Sequence, residues 1–262
     1  MLGVILSGGL GTRCNPSTKV INKHLLPVYS SQGAVPMIYY PINTLIKSGV
    51  KKILIITSDE AAGLMVETLG DGKRFGDDVD FTYKIQNMHD PKRPVGIASA
   101  LKLSKDFVGN NPFVVILGDN IYTDEFSTEF KEYEWRYRTE ERNDFAHIFL
   151  KTVTDPERFG VAELNEHNEV VGIVEKPTKP KSNFAVTGIY IFNEHVFTLL
   201  PTLTVSARGE LEVSHLNDWY VKNKTMKSSV INGFWHDMGI PSSMNKTIDY
   251  IKENDYKLQF GV

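Results

Sequence analysis

The chain reads as an α/β protein, a Rossmann-like doubly wound, mostly parallel sheet with a smaller β-rich subdomain. Three observations predict this. Short β-branched runs alternate with helix-length segments from Leu2 to Leu117, a glycine-rich turn directly follows the first run, and closely spaced strand-like runs take over in the second half. Strands separated by helical crossovers imply parallel pairing with right-handed connections, and ligands of such sheets gather at the carboxyl ends of the strands.

Leu2 to Leu6, Lys52 to Thr57, Phe81 to Ile85 and Phe113 to Leu117 carry the strand signal. Pro36 to Ser48, Asp59 to Leu69 and Gly96 to Phe107 have helical length and spacing between them. The polar stretch Asp124 to Arg142 reads as a helix. Then His147 to Val153, Gly160 to Leu164, Val170 to Glu175 and Phe184 to Phe192 read as strands, separated by turn residues at Asn165 to Asn168 and Pro177 to Ser182. Ile240 to Glu253 fits a closing amphipathic helix. We expect one domain over 1–262, made of a first half at 1–123, a second at 124–240, and a helix and tail at 241–262.

Composition narrows the function. A hydrophobic content of 41 % over 262 residues is enough for a substantial core. A formal net charge of -3 gives no global basic field, which argues against nucleic acid as a partner. Cys14 is the only cysteine, so an intramolecular disulfide and a multi-cysteine metal site are excluded, and a reducing, cytoplasmic setting is expected. No run approaches the roughly 18 apolar residues of a spanning helix, so no membrane partner is expected. The seven histidines show no metal-ligand spacing.

Ser7 to Arg13 (Ser-Gly-Gly-Leu-Gly-Thr-Arg) follows the first strand as a turn whose backbone N–H groups can approach phosphate oxygens. It is not a Walker A loop, since no Gly-Lys-Ser/Thr follows, and Arg13 stands where a dinucleotide fingerprint has its last glycine. Taken alone, the loop is weak evidence, since a tight strand-to-helix turn has the same composition.

Gly8 to Arg13, Pro16, Thr18, Lys23-His-Leu-Leu-Pro27 and Pro36-Met-Ile-Tyr-Tyr-Pro41 together resemble the sugar nucleotidyltransferase family, most closely its glucose-1-phosphate thymidylyltransferases. Leu69 to Gly72, Leu117-Gly-Asp-Asn120, Asp155 to Val161, Glu175-Lys-Pro177, Ala185 to Gly188, Ala207 to Glu212 and Trp235 to Gly239 extend the likeness, in order, over most of the chain.

The resemblance implies a transferase that joins a nucleoside triphosphate, dTTP in the first instance, to a sugar 1-phosphate, glucose 1-phosphate in the first instance. Pyrophosphate is released and Mg2+ is the cofactor. The second half becomes a sugar-side subdomain. Leu6, Gly8, Gly9, Gly11, Thr12 and Arg13 fall to the nucleotide, with His24, Val95, Gly96 and Ser99. Arg13 and Lys23 neutralise phosphate charge, and Asp119 and Asp237 ligate the metal. Asn120, Gly160, Glu175, Lys176, Val186 and Thr187 fall to the sugar phosphate. The bland readings are a surface arginine, a solvated lysine, a turn aspartate and an exposed charge pair. A homo-oligomer stays open.

Two positions depart from the thymidylyltransferase pattern. A glutamine there follows the motif lysine, and another lies in the motif written here Gly96-Ile-Ala-Ser-Ala100; this chain has His24 and Ser99. Both glutamines contribute to reading the base, so thymine preference is open; the alternative keeps the reaction with UTP or CTP, or with a modified sugar phosphate. Ser30 to Val35 and Asn87 to Arg93 look longer than their counterparts. A sugar-nucleotide-binding regulator without turnover is the alternative of a different class.

Overall fold

A computed structural model describes residues 1–88, 96–140, 144–206 and 209–260. In chain order the strands are β1 (Leu2–Ser7), β2 (Pro27–Ser30), β3 (Gly33–Pro36), β4 (Lys52–Ser58), β5 (Asp80–Gln86), β6 (Phe113–Leu117), β7 (Asn120–Tyr122), β8 (Ala146–Thr152), β9 (Gly160–Leu164), β10 (Val170–Glu175), β11 (Phe184–Phe192), β12 (Met226–Val230) and β13 (Trp235–Asp237). The helices are α1 (Tyr39–Lys47), α2 (Ala62–Leu69), α3 (Ile97–Leu101), α4 (Lys105–Val108), α5 (Ser127–Thr139), α6 (Val196–Leu199), α7 (Val213–Lys222) and α8 (Pro241–Glu253). The α/β fold read from the sequence is the one observed.

The residues cluster into two compact units. One comprises Leu2–Asp90, Ile116–Ser127 and Gly233–Val262. Here β1 pairs in parallel with β4, and β4 in parallel with β5. Val4, Ile5 and Ile53 are fully buried, as continuous apolar runs require when both faces of a parallel sheet are covered. β5 alternates exposed and half-buried residues, the texture of an edge. Gly3 has no room for a side chain: a Cβ there would lie 2.9 Å from Val50 Cγ1 and 3.0 Å from Leu45 Cδ1, next to α1. Two small antiparallel ladders complete this unit, β2 with β3 and β7 with β13.

The other unit comprises Met1, Pro91–Val115 and Thr128–Asn232. Its sheet is mostly antiparallel, β10 on β9, β9 on β11 and β11 on β8, with β12 added in parallel beside β8. Its strands β9, β10 and β11 fall where the closely spaced strand-like runs place them, but the unit also takes in Pro91–Val115 and leaves Gly233–Val262 to the first, so it does not follow the division at residues 123 and 240.

Expectation and structure differ in detail. The segment from Pro36 is helical only from Tyr39, because Pro36 ends β3. Gly96 to Phe107 breaks into α3, a 3-10 turn and α4. Ser30 to Val35 forms the tip and return of the β2–β3 hairpin. Most of Asn87 to Arg93 and part of the Ala207 to Glu212 motif lie outside the described residues.

Candidate active site

The first unit draws four motifs together around the carboxyl end of β1. After Ser7 the chain turns through Gly8 to Gly11, and Gly11 adopts φ 65°, a left-handed conformation that favours glycine. A Cβ at Gly11 would also press on Lys23 Cβ and Thr18 Cγ2, both at 3.0 Å, so the loop rests directly on the stem of Lys23. Cys14 N–H and Thr18 Oγ1 both donate to the Gly11 carbonyl at 2.8 Å. Gly9 has open space where a side chain would stand, leaving its backbone accessible. Arg13 is exposed beside it.

Lys23 opens a 3-10 turn capped by Asn22, whose side chain accepts from the His24 N–H at 2.9 Å. The lysine is 7 % exposed, and its Nζ donates to Asp119 Oδ2 at 2.5 Å. Asp119 follows β6 by way of Gly118, whose N–H donates to the Leu6 carbonyl at 2.9 Å. Burial pushes the Asp119 carboxyl up, but the Lys23 ammonium, His24 and hydrogen bonds from Lys23 and Asn120 outweigh it and hold the group well below the usual carboxylate range. The carboxylate is therefore charged and matched inside the fold.

Asp237 reaches the same place from the far end of the chain. In the β7–β13 ladder it stands opposite Asn120, and the N–H of the next residue, Met238, donates to the Asp119 carbonyl at 2.8 Å. Asp237 Oδ1 accepts from Gly239 N–H at 2.6 Å. Gly239 in turn ties this strand to the phosphate loop. Cys14 Sγ lies 3.7 Å from its carbonyl, and a Cβ on it would come within 2.7 Å of Asp237 Oδ1 and 3.1 Å of Arg13 Nη2. Arg13, Lys23, Asp119 and Asp237 are thus neighbours.

His24 stands elsewhere than a base-reading residue would. Its ring is 3 % exposed, with Nδ1 at 2.8 Å from Asn22 Oδ1 and a hydrogen bond to the Ser7 backbone. Burial, then Lys23, pushes the imidazole down to about 3, so it is neutral. Its Cδ2 lies 2.7 Å from the place of a Gly118 Cβ, which makes it a packing residue under the strand ends. Gln86, which sequence reasoning passed over, ends β5 with its Oε1 2.7 Å from where a Gly8 side chain would begin. Its position at the carboxyl end of a parallel strand was a usable signal.

In the second unit Gly160 stands between Glu175 on β10 and Val186 on β11, its register partners on either side. A Cβ on Gly160 would be 3.3 Å from Glu175 Oε2. Lys176 leaves the strand with φ 44° and donates its N–H to the Phe159 carbonyl at 2.9 Å. Its Nζ lies 3.8 Å from Glu175 Oε1, with both side chains partly exposed. Thr187 is fully buried and its Oγ1 has no hydrogen-bond partner. Gly96 opens α3 at φ 118°, and a Cβ there would strike the Leu211 carbonyl at 2.6 Å. Ser99 is half-buried on α3, and Val95 lies outside the described residues.

The model of the family described as "Nucleotidyl transferase" matches residues 2–254. The chain belongs to the nucleotidyl transferase family. It is 38 % identical over 255 residues to the glucose-1-phosphate thymidylyltransferase of Neisseria meningitidis, covering 96 % of this chain and 83 % of that protein. It is 38 % identical over 252 residues to the Xanthomonas campestris enzyme of the same name, covering 95 % and 80 %. The crystal structure of a candidate glucose-1-phosphate thymidylyltransferase from Bacillus anthracis, in complex with a sucrose, superposes with a TM-score of 0.85 at 41 % identity over 98 % of this chain and 97 % of that one. A UDP-glucose pyrophosphorylase complexed with UDP-glucose shares the fold, with a TM-score of 0.78 at 22 % identity over 97 % and 100 %.

Proposed function

We propose that this nucleotidyl transferase condenses dTTP with glucose 1-phosphate, giving dTDP-glucose and pyrophosphate, with Mg2+ as the cofactor. The observation that carries the reading is the buried Lys23–Asp119 pair, with Asp237 delivered beside it by a separate strand. A chain that only binds a sugar nucleotide has no use for a buried lysine bound to one carboxylate with a second carboxylate brought nearby by a separate strand.

The donor set fits a hard divalent ion. Among the described residues no group of three or more acidic, His or Cys side chains could hold a metal unaided. Magnesium is commonly bound by one or two carboxylates, with substrate phosphates and water completing the shell, and Asp119 and Asp237 supply that number. When bound, the ion neutralises charge on the phosphates and orients them.

An oxygen of the sugar phosphate attacks the α-phosphorus, and the bond to the β-phosphate breaks as pyrophosphate leaves. The work of the chain is positioning and charge compensation. Backbone N–H groups of Gly8 to Thr12, with Leu6 below them, cradle the triphosphate, and Arg13 offers its fork of donors to the departing phosphates. Lys23, already desolvated, faces the α-phosphate. Gln86 supplies an amide for the base, while His24 supports the strand ends from within. Gly96 and Ser99 flank the base. Lys176 pairs with the sugar phosphate, Glu175 accepts from sugar hydroxyls, and Gly160, Val186 and Thr187 shape the pyranose site. We place the reaction in the cytoplasm; among the described residues no helix is long and apolar enough to cross a membrane.

UTP is the second nucleotide, favoured by one observation: the ring of His24 is spent on Asn22 and Ser7, leaving one amide fewer for the base. A matrix of nucleoside triphosphates against sugar 1-phosphates, read by pyrophosphate release, tests the proposal. We expect the greatest rate with dTTP and glucose 1-phosphate. Tight binding of a sugar nucleotide with no pyrophosphate from any pair would make the chain a binding protein instead.

A further inference from the structure

The buried ladder beside Asp119 carries more than backbone pairing. Trp235 and Tyr122 are register partners in β13 and β7, two residues along from the pair Asp237 and Asn120. Trp235 Nε1 donates to Asn120 Oδ1 at 2.7 Å, and Asn120 Nδ2 donates to Asp119 Oδ1 at 2.9 Å. Tyr122 Oη adds a weaker bond to the same Asn120 oxygen at 3.3 Å. Asn120 is 1 % exposed and Trp235 is 6 % exposed, so water does not compete for these atoms.

The direction of this chain of bonds is decided chemically. An indole N–H only donates, so it compels Asn120 to turn its oxygen toward β13 and its NH2 toward Asp119. With the amide reversed, two donors would face each other at Trp235 and two acceptors at Asp119, in a site where unpaired buried polar atoms are costly. Asp119 then has one oxygen fixed by Asn120 and the other by Lys23, and its plane is set before any substrate arrives.

We propose that Trp235 is a positioning residue for the metal carboxylate, acting through Asn120 on Asp119. This rests on the reading of Asp119 as a metal ligand. It also gives Asn120 a different task from contact with the sugar phosphate. Partners one shell out from a ligand commonly contribute tenfold or more to metal affinity, because they hold the ligand in its binding orientation.

Trp235→Phe keeps the ring and deletes the donor. Mn2+ binding to the purified protein, followed by loss of the free-ion EPR signal, should weaken by roughly tenfold. In steady state, kcat at fixed Mg2+ should fall and recover as Mg2+ is raised, with KM for glucose 1-phosphate unchanged. Asn120→Ala breaks the next link and should give the same shift, a result that stands even if Trp235→Phe fails to fold; where both fold, the double variant should be no worse than Asn120→Ala alone. Wild-type Mn2+ affinity in Trp235→Phe, with only the sugar KM raised, would overturn the proposal and make the indole a wall of the sugar pocket. Retention of Mn2+ by Asp119→Asn would overturn the metal reading itself, and the relay with it.

Discussion

The two units present their functional candidates in opposite ways. In the unit that begins at Leu2, the charged residues are bonded to one another: Lys23 to Asp119, Asp119 to Asn120, and the Asp237 strand to the Asp119 backbone. In the unit that contains β8 to β12, Glu175 and Lys176 sit partly exposed at a strand end, 3.8 Å apart, and Gly160 leaves space beside them. The first arrangement is paid for by burial and suits charge compensation that must not reorganise during reaction. The second is a partly exposed pair, of the kind that contributes little to stability and can shift when a ligand arrives.

The largest effect that can break this comparison lies at the two carboxylates. Asp119→Asn or Asp237→Asn should lower turnover at least ~100-fold, about 2.7 kcal/mol of transition-state stabilisation, with the fold retained by circular dichroism. Near-normal activity of Asp237→Asn in Mg2+ would remove that residue from the metal site.

A smaller contrast comes from one substitution made in both units. Gly239→Ala puts a methyl where Asp237 Oδ1 is 2.7 Å away and should slow turnover about tenfold, because the carboxylate must move. Gly160→Ala meets Glu175 Oε2 at 3.3 Å, and a partly exposed side chain can give way. Its effect should stay within roughly threefold and appear in the KM of the sugar phosphate. Equal losses of kcat in both variants would erase the distinction between a fixed and a yielding site.

Much of this was legible in the residues. The apolar runs of β1, β4 and β6 announced buried strands, β1 and β4 parallel, and β9, β10, β11 and β6 begin and end where the pattern places them. Arg13, Lys23, Asp119 and Asp237 meet because strand ends and their loops meet. What stayed hidden had weak local signals. β7 and β13 are three residues each, and β12 reads Met-Lys-Ser-Ser-Val, with no apolar stretch to announce it. α7 buries Ser214 and Asn217 on its inner face, against the usual pattern. The resemblance assigns His24 to the nucleotide because it stands where the family motif has a base-reading glutamine, but a 3-10 turn sends consecutive side chains in different directions and buries the ring.

The placement of His24 also sharpens the expectation about the base. With Gln86 proposed as the amide that meets the base, dTTP and UTP should be used with kcat/KM within about tenfold of each other, near 1.4 kcal/mol. Gln86→Ala should narrow the gap between pyrimidine and purine triphosphates. Ser99→Gln should widen the dTTP preference, whereas His24→Gln should chiefly lower stability. A strong preference for one pyrimidine that survives Gln86→Ala would show that other contacts read the base.

The smallest expected effect is on acid stability, through the depressed histidines His24 and His147, which lie in different units. Burial, then Lys23, pushes His24 down to about 3; burial, then Arg136 and Lys227, pushes His147 down to about 4. The unfolded chain takes up protons on both near the ordinary value of 6.5, before the folded chain does, so stability falls as pH drops from there toward 4. His147, held through Nε2 to Ser229 Oγ at 2.9 Å, is the safer one to replace. In His147→Gln the slope of unfolding free energy between pH 4 and 6 should become shallower. An unchanged slope would assign the acid sensitivity to other groups.

The division of labour between the units is tested most directly by single-turnover rates of Lys23→Ala and Lys176→Ala across a range of glucose 1-phosphate concentrations. Lys23→Ala should stay slow at saturating sugar phosphate, because the charge facing the α-phosphate is gone. Lys176→Ala should approach the unaltered rate once enough sugar phosphate is supplied. Identical dependence on sugar phosphate in the two variants would contradict the account.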